Sequence, residues 1–147
     1  MKILLTLGTT PFDSLVRYID TQLNNTNIVI QSMGNYIPKN HEHFSFESNI
    51  NKIYKDYDII ITHAGAGSIY NLLEMKKKIV IVPNLERVDN HQQDIALYVE
   101  KNNYALIAWR FEEIPICLDK IKNGIILNKY TKDEFKMYND IIQFIKS

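Results

Sequence analysis

Three short stretches carry residue types suited to binding a ligand. The first, HAGAGS from His63 to Ser68, sets a histidine, two glycines and a serine where an apolar strand ends and an amphipathic helix begins. Gly65 and Gly67 allow the backbone to approach a ligand and to take positive φ. The leading N–H groups of the following helix point outward with the positive end of its dipole. That is a diphosphate site in outline, with Ala64 and Ala66 between the glycines, Ser68 adding a hydroxyl and His63, if protonated, a charge. The lysine of a Walker loop and the third glycine of the dinucleotide fingerprint are both missing. The same residues also make an ordinary tight turn with a serine cap, and Gly-x-Gly alone does not separate the two readings.

The second stretch, Asn90-His91-Gln92-Gln93-Asp94, groups amides and carboxylates just before a helical pattern. Amides both donate and accept, which suits sugar hydroxyls; the alternative is a solvated first turn capped by Asp89 or Asn90. A metal at His91, Asp89 and Asp94 is not expected, because no second histidine has ligand spacing. His41 and His43, beside Glu42, read as solvent-facing loop residues. The third stretch is Gly8-Thr9-Thr10.

Strands alternating with helices would position these loops. Lys2 to Leu7 reads as a strand rather than a signal peptide. Pro11 suits a first helical position, with Thr10 as N-cap before Phe12, Leu15, Val16 and Ile19. Asn27 to Ser32 is β-branched, and His43 to Phe46 is a weak strand. Ile50 to Tyr57 has helical spacing, and Asp58 to Thr62 is a run fit for a buried parallel strand. Ile69, Leu72 and Leu73 give the next helix its apolar face, and Ile79 to Val82 is another buried strand. Asp89 to Lys101 reads as helix, Tyr104 to Trp109 as a last strand, and Thr131 to Lys146 as an amphipathic helix. Such alternation predicts an α/β, Rossmann-like parallel sheet with helices on both faces. Loops at the carboxyl ends of its strands are where ligands belong.

The 147 residues suggest one domain, 1–147, short for an enzyme that must hold two large substrates. Seventeen basic residues balance seventeen acidic ones, so no net field favours nucleic acid, and phosphate must be bound locally. The lone Cys117 offers neither a disulfide nor a redox pair and suits a reducing cytoplasm. No window reaches the roughly eighteen apolar residues of a membrane helix.

GTTPFD after the first strand, then HAGAGS, VPN and DNHQQ in that order, resembles the C-terminal half of the family 28 GT-B glycosyltransferases. Within the family the pattern resembles the single-domain bacterial subunits of exopolysaccharide and capsule synthesis, and the catalytic subunit of the eukaryotic two-part UDP-GlcNAc transferase. The resemblance implies one half of a GT-B fold. It places the donor diphosphate on Ala64 to Ser68, with Gly8, Thr9 and Thr10 bordering the same cleft. It places the donor sugar on Gln92 and Gln93, with Asn90 beside them, and uracil at the backbone near Glu47 and Ile50. Where the family often has a ribose-binding glutamate this chain has Asn71, which lacks the strength of a carboxylate. Glu74, one turn on, is expected to face solvent.

The family chemistry is inverting and needs no metal or other cofactor: helix and loop N–H groups stabilise the charge growing on the β-phosphate of the departing UDP. An acceptor hydroxyl must lose its proton to a base, and here only His63, or more weakly Asp13, is a candidate. The resemblance further implies a UDP-sugar donor, a lipid-linked saccharide acceptor and a membrane-anchored partner subunit that binds the acceptor. The chain is thus expected to be cytoplasmic and recruited to the inner face of the membrane. The C-terminal helix reads first as packing on its own sheet and second as the partner contact; Lys76-Lys77-Lys78 reads first as a solvated helix end and second as a basic step toward anionic lipid. A non-catalytic nucleotide-sugar-binding module, or an unrelated flavodoxin-like nucleotide- or flavin-binding protein, would share much of this pattern. Arg87 near the sugar loop does not decide between glucuronate, galactose and N-acetylglucosamine.

Overall fold

The structure is a computed structural model and describes residues 1–86 and 91–130. Six parallel strands follow the order β3-β2-β1-β4-β5-β6, the Rossmann-like arrangement expected from the alternation. The chain divides into two compact units, Met1–Thr62 and His63–Ser147.

Unit one holds β1 (Ile3–Thr6), α1 (Asp13–Gln22), β2 (Ile28–Gln31), β3 (His43–Phe44), α2 (Ile50–Tyr54) and β4 (Ile59–Thr62). Parallel β1 pairs Ile3 with Ile28 on one side and with Ile59 on the other. Every residue of β1 and β4 is buried. Because successive side chains of a strand point to opposite faces, both faces must be covered, which is why these runs are apolar without alternation. α1 turns Leu15, Val16, Ile19 and Asp20 inward.

Asp20 is fully buried, yet it is not a misfit. Its carboxylate accepts from the backbone N–H of Lys39 at 2.9 Å and of Asn40 at 2.8 Å, and from the Tyr36 hydroxyl at 2.8 Å. His41 Nδ1 lies 3.1 Å away, and His41 Nε2 lies 3.0 Å and 3.1 Å from the carbonyls of Leu23 and Thr26. His41 therefore does not face solvent as its loop position suggests: it staples the segment after β2 to α1. His43 is exposed.

The start of α1 also differs from expectation. Thr10 is not the N-cap: α1 begins only at Asp13, and the Thr10 N–H closes a preceding turn onto the Leu7 carbonyl at 3.2 Å. Pro11 stays outside the helix, and buried Phe12 occupies the cap position. The Asp13 carboxylate accepts from the N–H groups of Asn35 and Tyr36 at 3.0 and 3.2 Å. These two bonds make it a clamp on that turn.

Unit two holds α3 (Ala66–Glu74), β5 (Lys78–Ile81), α4 (His91–Lys101), β6 (Leu106–Ile107), a 3-10 turn (Phe111–Glu113) and α5 (Ile114–Lys122). Val80 and Ile81 pair with Leu106 and Ile107, and α3 and α5 both touch β5. α5 has a signature that the sequence reading passed over: Ile114, Cys117, Leu118 and Ile121, all buried, at helical spacing with proline in the first turn. Cys117 is a free thiol, and burial pushes its pKa up. α3 ends because Lys76 adopts φ 59°, and the Lys77 N–H turns back to the Leu72 carbonyl at 3.1 Å. No helix among the described residues is long and apolar enough to cross a membrane. The helix expected over Thr131 to Lys146 lies outside the described residues.

Candidate functional site

In unit two the chain after β4 runs from buried His63 and Ala64 into α3. Gly65 is the N-cap with φ −80° and ψ 122°, and no side chain among the described residues caps the helix. The first helical bond runs from the Ile69 N–H to the Gly65 carbonyl at 3.0 Å. The N–H groups of Ala66, Gly67 and Ser68 precede it and have no partner within the helix. Gly67 and Ser68 are exposed and Ala66 half-buried, so this end is aimed outward.

The glycines serve the turn differently from expectation. Neither has positive φ; the glycines that do are Gly8 and Gly124. Gly65 is required by its neighbour, because a Cβ there would lie 3.0 Å from His63 Cε1 and 3.5 Å from Nε2. A Cβ on Gly67 would meet nothing within 4 Å. That opening is the room the backbone leaves for an approaching group.

Behind the turn lies a buried polar relay. Gln92, the second residue of α4, is 7 % exposed and turned inward. Its Oε1 accepts from the Asn84 N–H at 2.9 Å, and its Nε2 lies 3.0 Å from His63 Nδ1. Gln93 and His91 are exposed, Asn71 is half-buried on α3, and Glu74 is exposed at the helix end. Arg87, Asp89 and Asn90 lie outside the described residues.

Unit one presents its own organised loop. Gly8 takes φ +60°, a conformation natural to glycine. Buried Gln31, at the end of β2, holds it there: Oε1 accepts from the Thr6 hydroxyl and the N–H groups of Leu7 and Gly8 at 2.9, 3.0 and 2.8 Å. Its Nε2 donates to the carbonyls of Gly8 and Ser45 at 2.9 and 2.7 Å. Gln31 carries one signal in the sequence, a long polar side chain closing a buried β-branched strand. Thr9 is exposed and Thr10 half-buried; Glu47 is exposed, its carboxylate accepting from the Asn49 N–H at 3.2 Å, and half-buried Ile50 opens α2.

Among the described residues two concavities lie elsewhere: one of ≈ 400 Å³ beside β3, lined by Tyr36 and Phe44 among others, and one of ≈ 720 Å³ between the end of α3, Tyr104 and the segment 127–130. Neither includes residues 63–68. A shallow helix terminus that receives a charged group from outside need not form a closed pocket, so the turn is judged by its donors. Among the described residues no group of three His, Cys, Asp or Glu side chains could hold a metal ion.

The family model described as the glycosyltransferase family 28 C-terminal domain matches residues 2–120. The UDP-N-acetylglucosamine transferase subunit ALG13 of Kluyveromyces lactis is 37 % identical over 105 residues, 65 % of this chain and 52 % of the relative. A UDP-N-acetylglucosamine–N-acetylmuramyl-(pentapeptide) pyrophosphoryl-undecaprenol N-acetylglucosamine transferase of Prochlorococcus marinus is 25 % identical over 88 % of this chain and 36 % of its own length. The chain spans about half or less of the curated relatives it matches. Among solved structures, the solution structure of ALG13 aligns with TM-score 0.66 at 21 % identity, over 99 % of this chain and 97 % of that one. The MurG of Acinetobacter baumannii also gives 0.66, at 22 % identity over 83 % and 41 %; both likenesses concern the fold. With the family model covering most of its length, this chain belongs to glycosyltransferase family 28, matching the C-terminal domain of that family.

Proposed function

We propose that this domain binds a UDP-sugar and supplies the donor half of an inverting, metal-independent glycosyl transfer. The observation that carries the proposal is the exposed, uncapped start of α3, where Gly67 leaves open space in front of N–H groups that lack helical partners. As the anomeric C–O bond breaks, the electron pair passes to the β-phosphate oxygen, and those N–H groups are already oriented toward the growing charge.

The diphosphate is assigned to Ala64 to Ser68, the ribose to Asn71 and the sugar to exposed Gln93 with Asn90. The assignments of Gly8, Thr9 and Thr10 to phosphate, and of Glu47 and Ile50 to uracil, rest on the family resemblance. The inward-facing Gln92 leaves the sugar contacts to its neighbours. The acceptor is a lipid-linked saccharide held by a separate, membrane-anchored subunit that recruits this chain from the cytoplasm. ALG13, a subunit by name, supports the division of labour. The setting in exopolysaccharide or capsule synthesis rests on the sequence resemblance. The whole chain, 1–147, is read as one donor-binding domain.

Calorimetric titration of UDP, other nucleoside diphosphates and flavin mononucleotide tests the reading. UDP is expected to bind best. Flavin binding without UDP binding would replace this reading with a flavodoxin-like one, and UDP binding without turnover beside the acceptor subunit would leave only a binding module.

A further inference from the structure

Gln92 and His63 belong to the same unit, and the hydrogen bond between them admits one arrangement of protons. The amide of Gln92 cannot be turned over, because its Oε1 faces the Asn84 backbone N–H at 2.9 Å, a group that only donates. The NH2 is thereby fixed toward His63 Nδ1 at 3.0 Å. An amide NH2 also only donates, so Nδ1 must offer its lone pair.

We propose that Gln92 locks His63 as the neutral imidazole with its proton on Nε2, making Gln92 a positioning residue that acts through His63. Asn84, Gln92 and His63 are 5 %, 7 % and 8 % exposed. In so dry a place an N–H set against another N–H leaves both unmatched, and that penalty excludes the imidazolium and the Nδ1–H tautomer. The Cε1–Nε2 edge of the ring faces Gly65, where a Cβ would lie 3.0 and 3.5 Å from these atoms.

The functional consequence rests on the diphosphate reading of α3. A histidine held as the Nε2–H tautomer with its Nδ1 engaged adds no charge to the site. It cannot take the acceptor hydroxyl's proton at either nitrogen, since one lone pair is engaged and the other nitrogen is already protonated. The general base must then come from another residue or from the acceptor-binding subunit.

Long-range 1H–15N correlation spectra of the histidine rings of the full chain at pH 7.5 read the tautomer directly, with His63→Asn identifying the His63 signals by their loss. The expected pattern is an unprotonated, pyridine-type Nδ1 and a protonated, pyrrole-type Nε2. In Gln92→Glu the carboxylate accepts instead of donating, and His63 Nδ1 is expected to become protonated. An Nδ1–H tautomer or an imidazolium in the wild type would overturn the lock, as would an unchanged ring in a folded Gln92→Glu protein. Adding UDP separates the two ideas. An Nε2–H ring that UDP leaves unmoved supports the lock and removes the donor-site reading; a ring in the other tautomer that UDP shifts overturns the lock and leaves the donor site standing.

Discussion

Replacing Asp20 with Asn removes a charge shared by four donors while keeping the side chain's shape. Burial alone pushes the Asp20 carboxyl up, but the backbone N–H groups of Lys39 and Asn40, then His41 and Tyr36, pull it down further, to about 2. The drop from the ordinary 3.8, at ~1.4 kcal/mol per unit and discounted for screening, corresponds to about 2 kcal/mol of charge-dependent stability. The folded pKa lies below the unfolded one, so this contribution is complete above the unfolded value and is lost as pH falls through the folded one. Urea unfolding followed by circular dichroism reads it. At neutral pH Asp20→Asn should be less stable than wild type by about 2 kcal/mol or more, since the amide also turns donors toward donors. Near the folded pKa of about 2 the gap should narrow. Equal stability at neutral pH, or a gap that does not shrink in acid, would overturn the view of Asp20 as the charged anchor of residues 36–41.

Two further substitutions probe unit one. Gln31→Met preserves length but deletes the five side-chain hydrogen bonds through which Gln31 holds the Gly8 turn; a loss of about 2–4 kcal/mol is expected, with faster amide exchange at Gly8, and protection unchanged at Gly8 would refute it. Gly34→Ala should cost about 1–3 kcal/mol, because a Cβ there would overlap the Asp13 carboxylate that binds the Asn35 and Tyr36 N–H groups. The same alanine should cost much less in an Asp13→Ala background, a coupling that a double-mutant cycle measures.

The strands were legible because burial on both faces leaves an uninterrupted apolar signature, as in Ile59 to Thr62. α5 was equally legible in its spacing, since Ile114, Cys117, Leu118 and Ile121 recur at helical intervals, but Cys117 reads from sequence only as a thiol. What sequence could not convey was side-chain partnership across distance. Thr10 resembles an N-cap by type, yet α1 begins only at Asp13, with Phe12 in the cap position. His41 looks solvated beside Glu42 until Asp20, twenty-one residues earlier, is brought against it. The glycine pattern located the turn correctly but for a different reason: Gly65 makes room for the His63 ring rather than adopting positive φ. In DNHQQ composition suggested sugar contacts, whereas the fold turns Gln92 inward toward His63.

The placement of the diphosphate is tested most directly at Gly67. An aspartate at this second helical position suits the α3 dipole and fills open space, so the fold should hold, while its charge repels a phosphate approaching the same N–H groups. Calorimetry with UDP and uridine on wild type and Gly67→Asp, alongside their melting temperatures, decides the matter. The wild type should bind UDP more tightly than uridine; Gly67→Asp should lose at least about tenfold in UDP affinity, some 1.4 kcal/mol, with its melting temperature retained. A folded Gly67→Asp protein that binds UDP as the wild type does would place the diphosphate elsewhere.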